Sequence, residues 1–87
     1  MKYRLRPVTI TCAEPEGGYA FRAALLLNAT GIILVHNHPS GGAIPSADDD
    51  RLTRDMARAG LLIDIPLVDH VIVTPTAEFS YLAAGRL

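Results

Sequence analysis

The sequence predicts an α/β (α+β) fold, a mixed β-sheet flanked by helices, and three observations carry that expectation. Two apolar runs, "GIILVHNH" at 31–38 and "LVDHVIVT" at 67–74, are too short for helices and read as buried strands. Two segments with helical signals, 19–30 and 46–60, separate these runs from each other and from a β-branched stretch near the start. The resulting order is β, α, β, α, β, which favours one sheet with helices packed on it. Residues 1–87 are read as a single domain.

The first element is "YRLRPVTITC", whose Val8, Thr9, Ile10 and Thr11 suit a strand. Pro7 lacks a backbone donor and places that strand at a sheet edge or at its own start. "EPEGG" at 14–18 is a turn. In "YAFRAALLLNAT", Phe21, Ala24, Leu25 and Asn28 fall at i, i+3, i+4 and i+7, which predicts one buried helical face; Asn28, Thr30 and Gly31 end it. After the strand at 31–38, "PSGGAIP" is a loop in which Gly41 and Gly42 permit a tight path. Ser46 has the chemistry of an N-cap, followed by Asp48, Asp49 and Asp50 where the helix dipole favours negative charge. That helix is expected to stop near Gly60, with Leu52, Met56 and Ala59 inward and an Asp50–Arg54 pair on its surface. The end, "AEFSYLAAGRL", reads as a short strand or turn and one helical turn.

Composition excludes several classes. A chain this short buries only about 60% of its unfolded surface, so a metal ion or a second subunit is a plausible aid to stability. Hydrophobic residues make up 49% and charged ones 20%, which is a globular rather than a disordered balance. Eight basic residues against nine acidic give a net charge of −1, without the basic excess that nucleic-acid binding calls for. One cysteine, Cys12, forms no intrachain disulfide, and on an edge strand it reads as a small hydrophobe. With neither a membrane-length apolar run nor a signal-peptide core, the chain is expected to be cytoplasmic.

The chemistry concentrates in "VHNHPSGGAIPSADDD", residues 35–50. His36 and His38, two apart on a strand, point to the same face at the strand's end. Two imidazoles there supply half of a tetrahedral metal shell. The helix beginning at Ser46 returns to the same place and offers Asp48, Asp49 and Asp50; with Ser46 as N-cap, Asp49 falls at N3, where a side chain points back toward the helix start. Ser46 and Asp49 also form an S-x-x-D capping box, and a carboxylate can accept a backbone N–H on one oxygen and ligate metal with the other. Two histidines and one carboxylate leave a fourth position for water, as catalytic rather than structural zinc sites do. His70 reads as a hydrogen-bonded core residue rather than a ligand.

"HNHPSGGAIPSADD" resembles the JAMM motif of MPN-domain metalloproteins, and most closely the RadC family, with "FRAALLLNATGIILVHNHPSG", "LTRDMARAGLLIDIPLVDHVIV" and "FSYLAAGRL" extending the likeness over roughly residues 21–87. The resemblance implies an MPN/JAMM, cytidine-deaminase-like architecture and a zinc-dependent metalloprotease-like hydrolase acting on a peptide or protein. It implies that His36, His38 and Asp49 are the zinc ligands and that Ser46 stabilises an oxyanion. It also implies a glutamate base on an upstream hairpin. Only 35 residues precede His36, so the sequence reads as truncated at that hairpin. Glu14 and Glu16, both in a Pro/Gly turn, are the acidic residues before the motif. The alternative expectation is a catalytically silent MPN-like module that binds a partner protein, or a second copy of itself, through an open sheet edge.

Overall fold

The computed structural model describes residues 7–12, 17–38 and 42–87, with the backbone alone for 7–12 and residue 17. Among them β1 (Pro7–Cys12), β2 (Gly31–Asn37), β3 (Leu67–Val73) and β4 (Glu78–Ser80) form one sheet in the order β1-β2-β3-β4. β1, β2 and β3 are mutually parallel, and β4 runs antiparallel to β3, so the sheet is mixed as the sequence predicts. The parallel pairs are joined through α1 (Gly17–Leu26) and α2 (Ala47–Leu62). α1 packs on β2, α2 on β3, and the helices on each other. Among the described residues no helix is long and apolar enough to cross a membrane.

Because both helices lie on one side, β2 and β3 are fully buried on that face only. Ile32, Leu34 and His36 alternate with half-buried Ile33 and Val35; His70 and Ile72 alternate with half-buried Asp69, Val71 and Val73. The apolar runs thus make a half-covered sheet rather than strands buried on both faces. The register sets Leu34 opposite His70 and His36 opposite Ile72, so two histidines share the helix-facing surface.

The buried face of α1 differs from expectation. Ala20 and Ala24 are buried and Phe21 partly so, whereas Leu25 is 57% exposed and Asn28 lies outside the helix. Two small side chains let the helix approach Ile32 and Leu34, and the leucines turn outward. Asn28 ends α1 as predicted: at φ 52° it occupies the left-handed region, its N–H donates to Leu25 O and that of Ala29 to Ala24 O. α2 runs past Gly60 to Leu62 and ends the same way, with Asp64 at φ 59° and Ile65 N–H donating to Gly60 O at 2.9 Å. Gly60 is therefore inside the helix, where its missing Cβ admits the returning Ile65 backbone. Of the expected inner face, Met56 is buried and Leu52 partly so, with Thr53 and Gly60 beside them.

Asp69 fastens the C-terminal segment to β3. One of its oxygens accepts the His70 and Leu82 N–H groups at 2.7 and 2.9 Å, and the other accepts the Ser80 hydroxyl at 2.6 Å. The turn after β4 places Tyr81, only 1% exposed, flat against the His70 ring at 4.9 Å.

Candidate metal centre

β2 ends where backbone pairing gives way to a loop, and the two histidines straddle that boundary. His36 is the buried last-but-one residue of the strand; His38 follows it, its N–H still donating to Val73 O at 3.0 Å. Their rings meet edge to face at 4.6 Å. The first turn of α2 supplies the carboxylate. Ser46 is the N-cap, its Oγ accepting the Asp49 N–H at 3.1 Å while Asp49 Oδ2 accepts the Ser46 N–H at 2.8 Å. This reciprocal box turns the N3 side chain back over the helix start. There Asp49, 4% exposed, sets Oδ1 3.1 Å from His36 Nδ1 and Oδ2 3.0 Å from His38 Nε2.

Of the three consecutive aspartates only the middle one faces the histidines. Asp48 points to solvent and lies 3.6 Å from Arg51. Asp50 does not form the expected pair with Arg54: its Oδ1 accepts the Tyr81 hydroxyl at 2.7 Å and an Arg86 N–H at 2.8 Å. Partners fixed by the C-terminal turn thus outcompete a flexible one on the same helix. A groove of about 390 Å³ beside this cluster is lined by Arg54, Arg58, Tyr81 and Arg86, and none of His36, His38 or Asp49 borders it.

His36, His38 and Asp49 form a group that can hold a metal ion, each offering one ligand atom with all three within 4.8 Å of one another. A detail of His38 tests the fit. Its Nδ1 lies 3.1 Å from Gly42 O, an acceptor, so Nδ1 carries the proton. In the neutral ring Nε2 then presents a lone pair to a carboxylate oxygen 3.0 Å away. Between these two atoms the space suits a cation, either a proton on the ring or a metal ion shared by both. A ring anchored to a backbone carbonyl through its other nitrogen is the usual support of a metal-ligating histidine. Gly42 contributes that carbonyl; a Cβ there meets nothing within 4 Å, so the tight path expected of this glycine is not required. Gly41 lies outside the described residues, as do Glu14 and Glu16. For Asp49, burial raises the carboxyl pKa, but the Ser46 contacts and the two histidines outweigh it and hold the group below the ordinary aspartate value.

His70 sits behind the centre, fully buried, its ring stacked 5.8 Å from that of His36. Among the described residues it joins no ligand group. Its Nδ1 lies 2.6 Å from Thr53 Oγ1, which donates to Asp49 O at 2.8 Å. The part played by Thr53 had no local signature in the sequence, since its partner is 17 residues away. Burial first, then the positive potential of His36, pushes His70 down to about 4. An unfolded chain takes up this proton near pH 6.5 and the folded one only near 4, so folding stability is complete above 6.5 and falls as the pH drops through that window. The metal-free protein should lose up to about 3 kcal/mol between pH 7 and 4. Urea midpoints measured across the range should decline, and less steeply in His70→Asn; a flat wild-type profile contradicts the assignment.

The chain has relatives among known proteins. Residues 10–86 match the family described as RadC-like JAB domain. A UPF0758 protein of Burkholderia vietnamiensis is 52% identical over 66 residues, covering 76% of this chain and 26% of the relative. One from Thermotoga maritima is 46% identical over 67 residues, covering 77% and 30%. The chain spans about a quarter of the length of the curated relatives it matches.

Proposed function

From the premise that the chain belongs to the RadC-like JAB domain family, we propose that it is a zinc-dependent hydrolase domain of the peptidase or isopeptidase type. The observation that carries the proposal is the opposition of His38 Nε2 and Asp49 Oδ2, with His36 Nδ1 at the other carboxylate oxygen. His36, His38 and Asp49 would hold the ion. When bound, zinc supplies Lewis acidity that brings a water's pKa to about 7 and polarises an amide carbonyl.

The chain's own residues do the rest. Gly42 O fixes the His38 ring, and the Ser46 N–H fixes Asp49 Oδ2, so two ligands are oriented before any cation arrives. Ser46 Oγ accepts the Asp49 N–H, which leaves the hydroxyl's own proton to donate to a carbonyl oxygen as charge develops on it. Ser46 is exposed at the rim, where a substrate can reach it. Among the described residues no further carboxylate joins the group. The substrate is a peptide or protein; the net charge of −1 gives nucleic acid no electrostatic reason to bind.

Ser46→Ala tests the assignment. It should retain zinc while lowering kcat on a peptide or isopeptide substrate by about 10²-fold, the scale of one lost oxyanion donor. Hydrolysis untouched by a chelator, or by this substitution, contradicts the mechanism.

A second reading, a silent partner-binding module, is favoured by one observation: β1 is an edge strand of the sheet and, among the described residues, pairs with β2 alone. Stoichiometric zinc without turnover, together with concentration-dependent dimers, would select it.

A further inference from the structure

We infer that Thr53 and His70 act together as a positioning pair, a hydrogen-bonded strut that sets the distance between Asp49 on α2 and the two histidines on the sheet. The inference rests on the proposed metal centre and concerns how its ligands are held.

A hydroxyl has one proton. Thr53 Oγ1 gives it to Asp49 O at 2.8 Å, so the 2.6 Å contact with His70 Nδ1 needs a proton from the imidazole. His70 is therefore the Nδ1–H tautomer, and the chain of donation runs His70 to Thr53 to the carbonyl of the ligand residue. Each link belongs to a different part of the fold. His70 is on β3, which pairs with β2 two residues from His36, Leu34 opposite His70 and His36 opposite Ile72. Thr53 is one turn beyond Asp49 in α2 and bonded to its backbone.

Ten residues separate His38 from Asp49 along the chain, whereas the strut ties the Asp49 backbone to the sheet through two hydrogen bonds. It is buried, with Thr53 4% and His70 0% exposed, and the His70 ring is stacked between those of His36 at 5.8 Å and Tyr81 at 4.9 Å. A hydrogen bond shielded in this way holds its length better than one open to water. Mutating outer partners of metal ligands changes affinity without removing a ligand.

The experiment measures zinc affinity by competition with a chromophoric chelator, beside the thermal melt of each metal-free variant. Thr53→Val keeps the shape and removes the hydroxyl; it should bind zinc about 10- to 100-fold more weakly. Thr53→Ser restores the hydroxyl and should recover most of the loss. His70→Asn keeps a donor near the Nδ1 position and should bind zinc nearly as well as wild type, whereas His70→Leu should resemble Thr53→Val. Losses in the Thr53→Val/His70→Leu double variant should be far from additive, since both break one strut. Should the apolar variants fail to fold, wild type still decides: nitrogen NMR of its His70 ring must show the proton on Nδ1. Wild-type zinc binding that Thr53→Val leaves intact, or a proton on Nε2, overturns the strut. Absence of zinc binding in wild type overturns the metal centre on which it rests, a distinct outcome.

Discussion

Asp49→Asn should abolish stoichiometric metal binding while leaving the fold in place. In the proposed centre the carboxylate is one of three protein ligands, and whole structural zinc sites bind with apparent free energies on the order of ten kcal/mol. Losing a third of such a total corresponds to roughly 10²- to 10³-fold in affinity. Two features make the loss especially clean. The amide oxygen of asparagine can still accept the Ser46 N–H, so the helix cap is weakened by no more than about 1 kcal/mol. Asparagine also lacks the negative charge that draws a cation between this side chain and His38 Nε2, 3.0 Å from Asp49 Oδ2. Circular dichroism should therefore be unchanged while metal analysis falls from one zinc per chain toward zero. Asp48→Asn, directly adjacent, is the control; its side chain is turned to solvent and the substitution should change nothing. Equal zinc content in Asp49→Asn and wild type would remove this residue from the ligand set.

The second large effect concerns stability. Gly60→Ala should lower the melting temperature by roughly 10–20 °C, against the expectation from helix propensity. In an exposed helix interior, alanine is better than glycine by about 1 kcal/mol. At Gly60, however, a Cβ lands 2.5 Å from Ile65 O, 3.2 Å from Pro66 Cα and 3.3 Å from Ile65 C. These are backbone atoms, and Ile65 is itself in the core, so no side-chain rotation relieves the contact. Forcing the 63–66 return away from α2 should cost about 2–3 kcal/mol net, as overpacking does. For a domain of this size each kcal/mol moves the midpoint by about 4–8 °C. A midpoint equal to wild type or higher means that propensity has won and that the close return of the chain is wrong. The glycine lies at the far end of α2 from Asp49, so zinc stoichiometry in the folded variant should be preserved.

The contrast between these two positions shows what kind of information a sequence carries. Asp49 was legible because its placement is local: an N-cap serine three residues earlier dictates where an N3 side chain points, and a two-residue spacing dictates that His36 and His38 share a face. The strand, helix and turn order was legible for the same reason, and the left-handed stop at Asn28 follows from one short polar residue after an apolar run. Gly60 signals a stop in the sequence and is a packing site in the fold, because its constraint comes from a chain return that only tertiary structure supplies.

Long-range choices were hidden likewise. Asp50 has an arginine four residues away, yet Tyr81 and Arg86, 31 and 36 residues distant, take its carboxylate. Burial of the Tyr81 hydroxyl and its bond to Asp50 push that phenol up to about 12, which keeps it a donor to the carboxylate throughout the working range. The leucines of α1 misled in the opposite direction. Periodicity assigns Leu25 to the buried face, but two alanines serve the sheet better where the helix must lie close, and Leu25 and Leu26 face outward. The Thr53–His70 contact joins residues with no mutual sequence pattern, and only the pairing of α2 with β3 brings them together.

The most direct test of the central claim is anomalous diffraction at the zinc edge from crystals of the protein grown with one equivalent of zinc. A single strong peak should lie within about 2.2 Å of a nitrogen of His36, a nitrogen of His38 and an oxygen of Asp49, with one coordination position not filled by protein. A peak elsewhere, a ligand set lacking Asp49, or zinc bound by four protein side chains would contradict it.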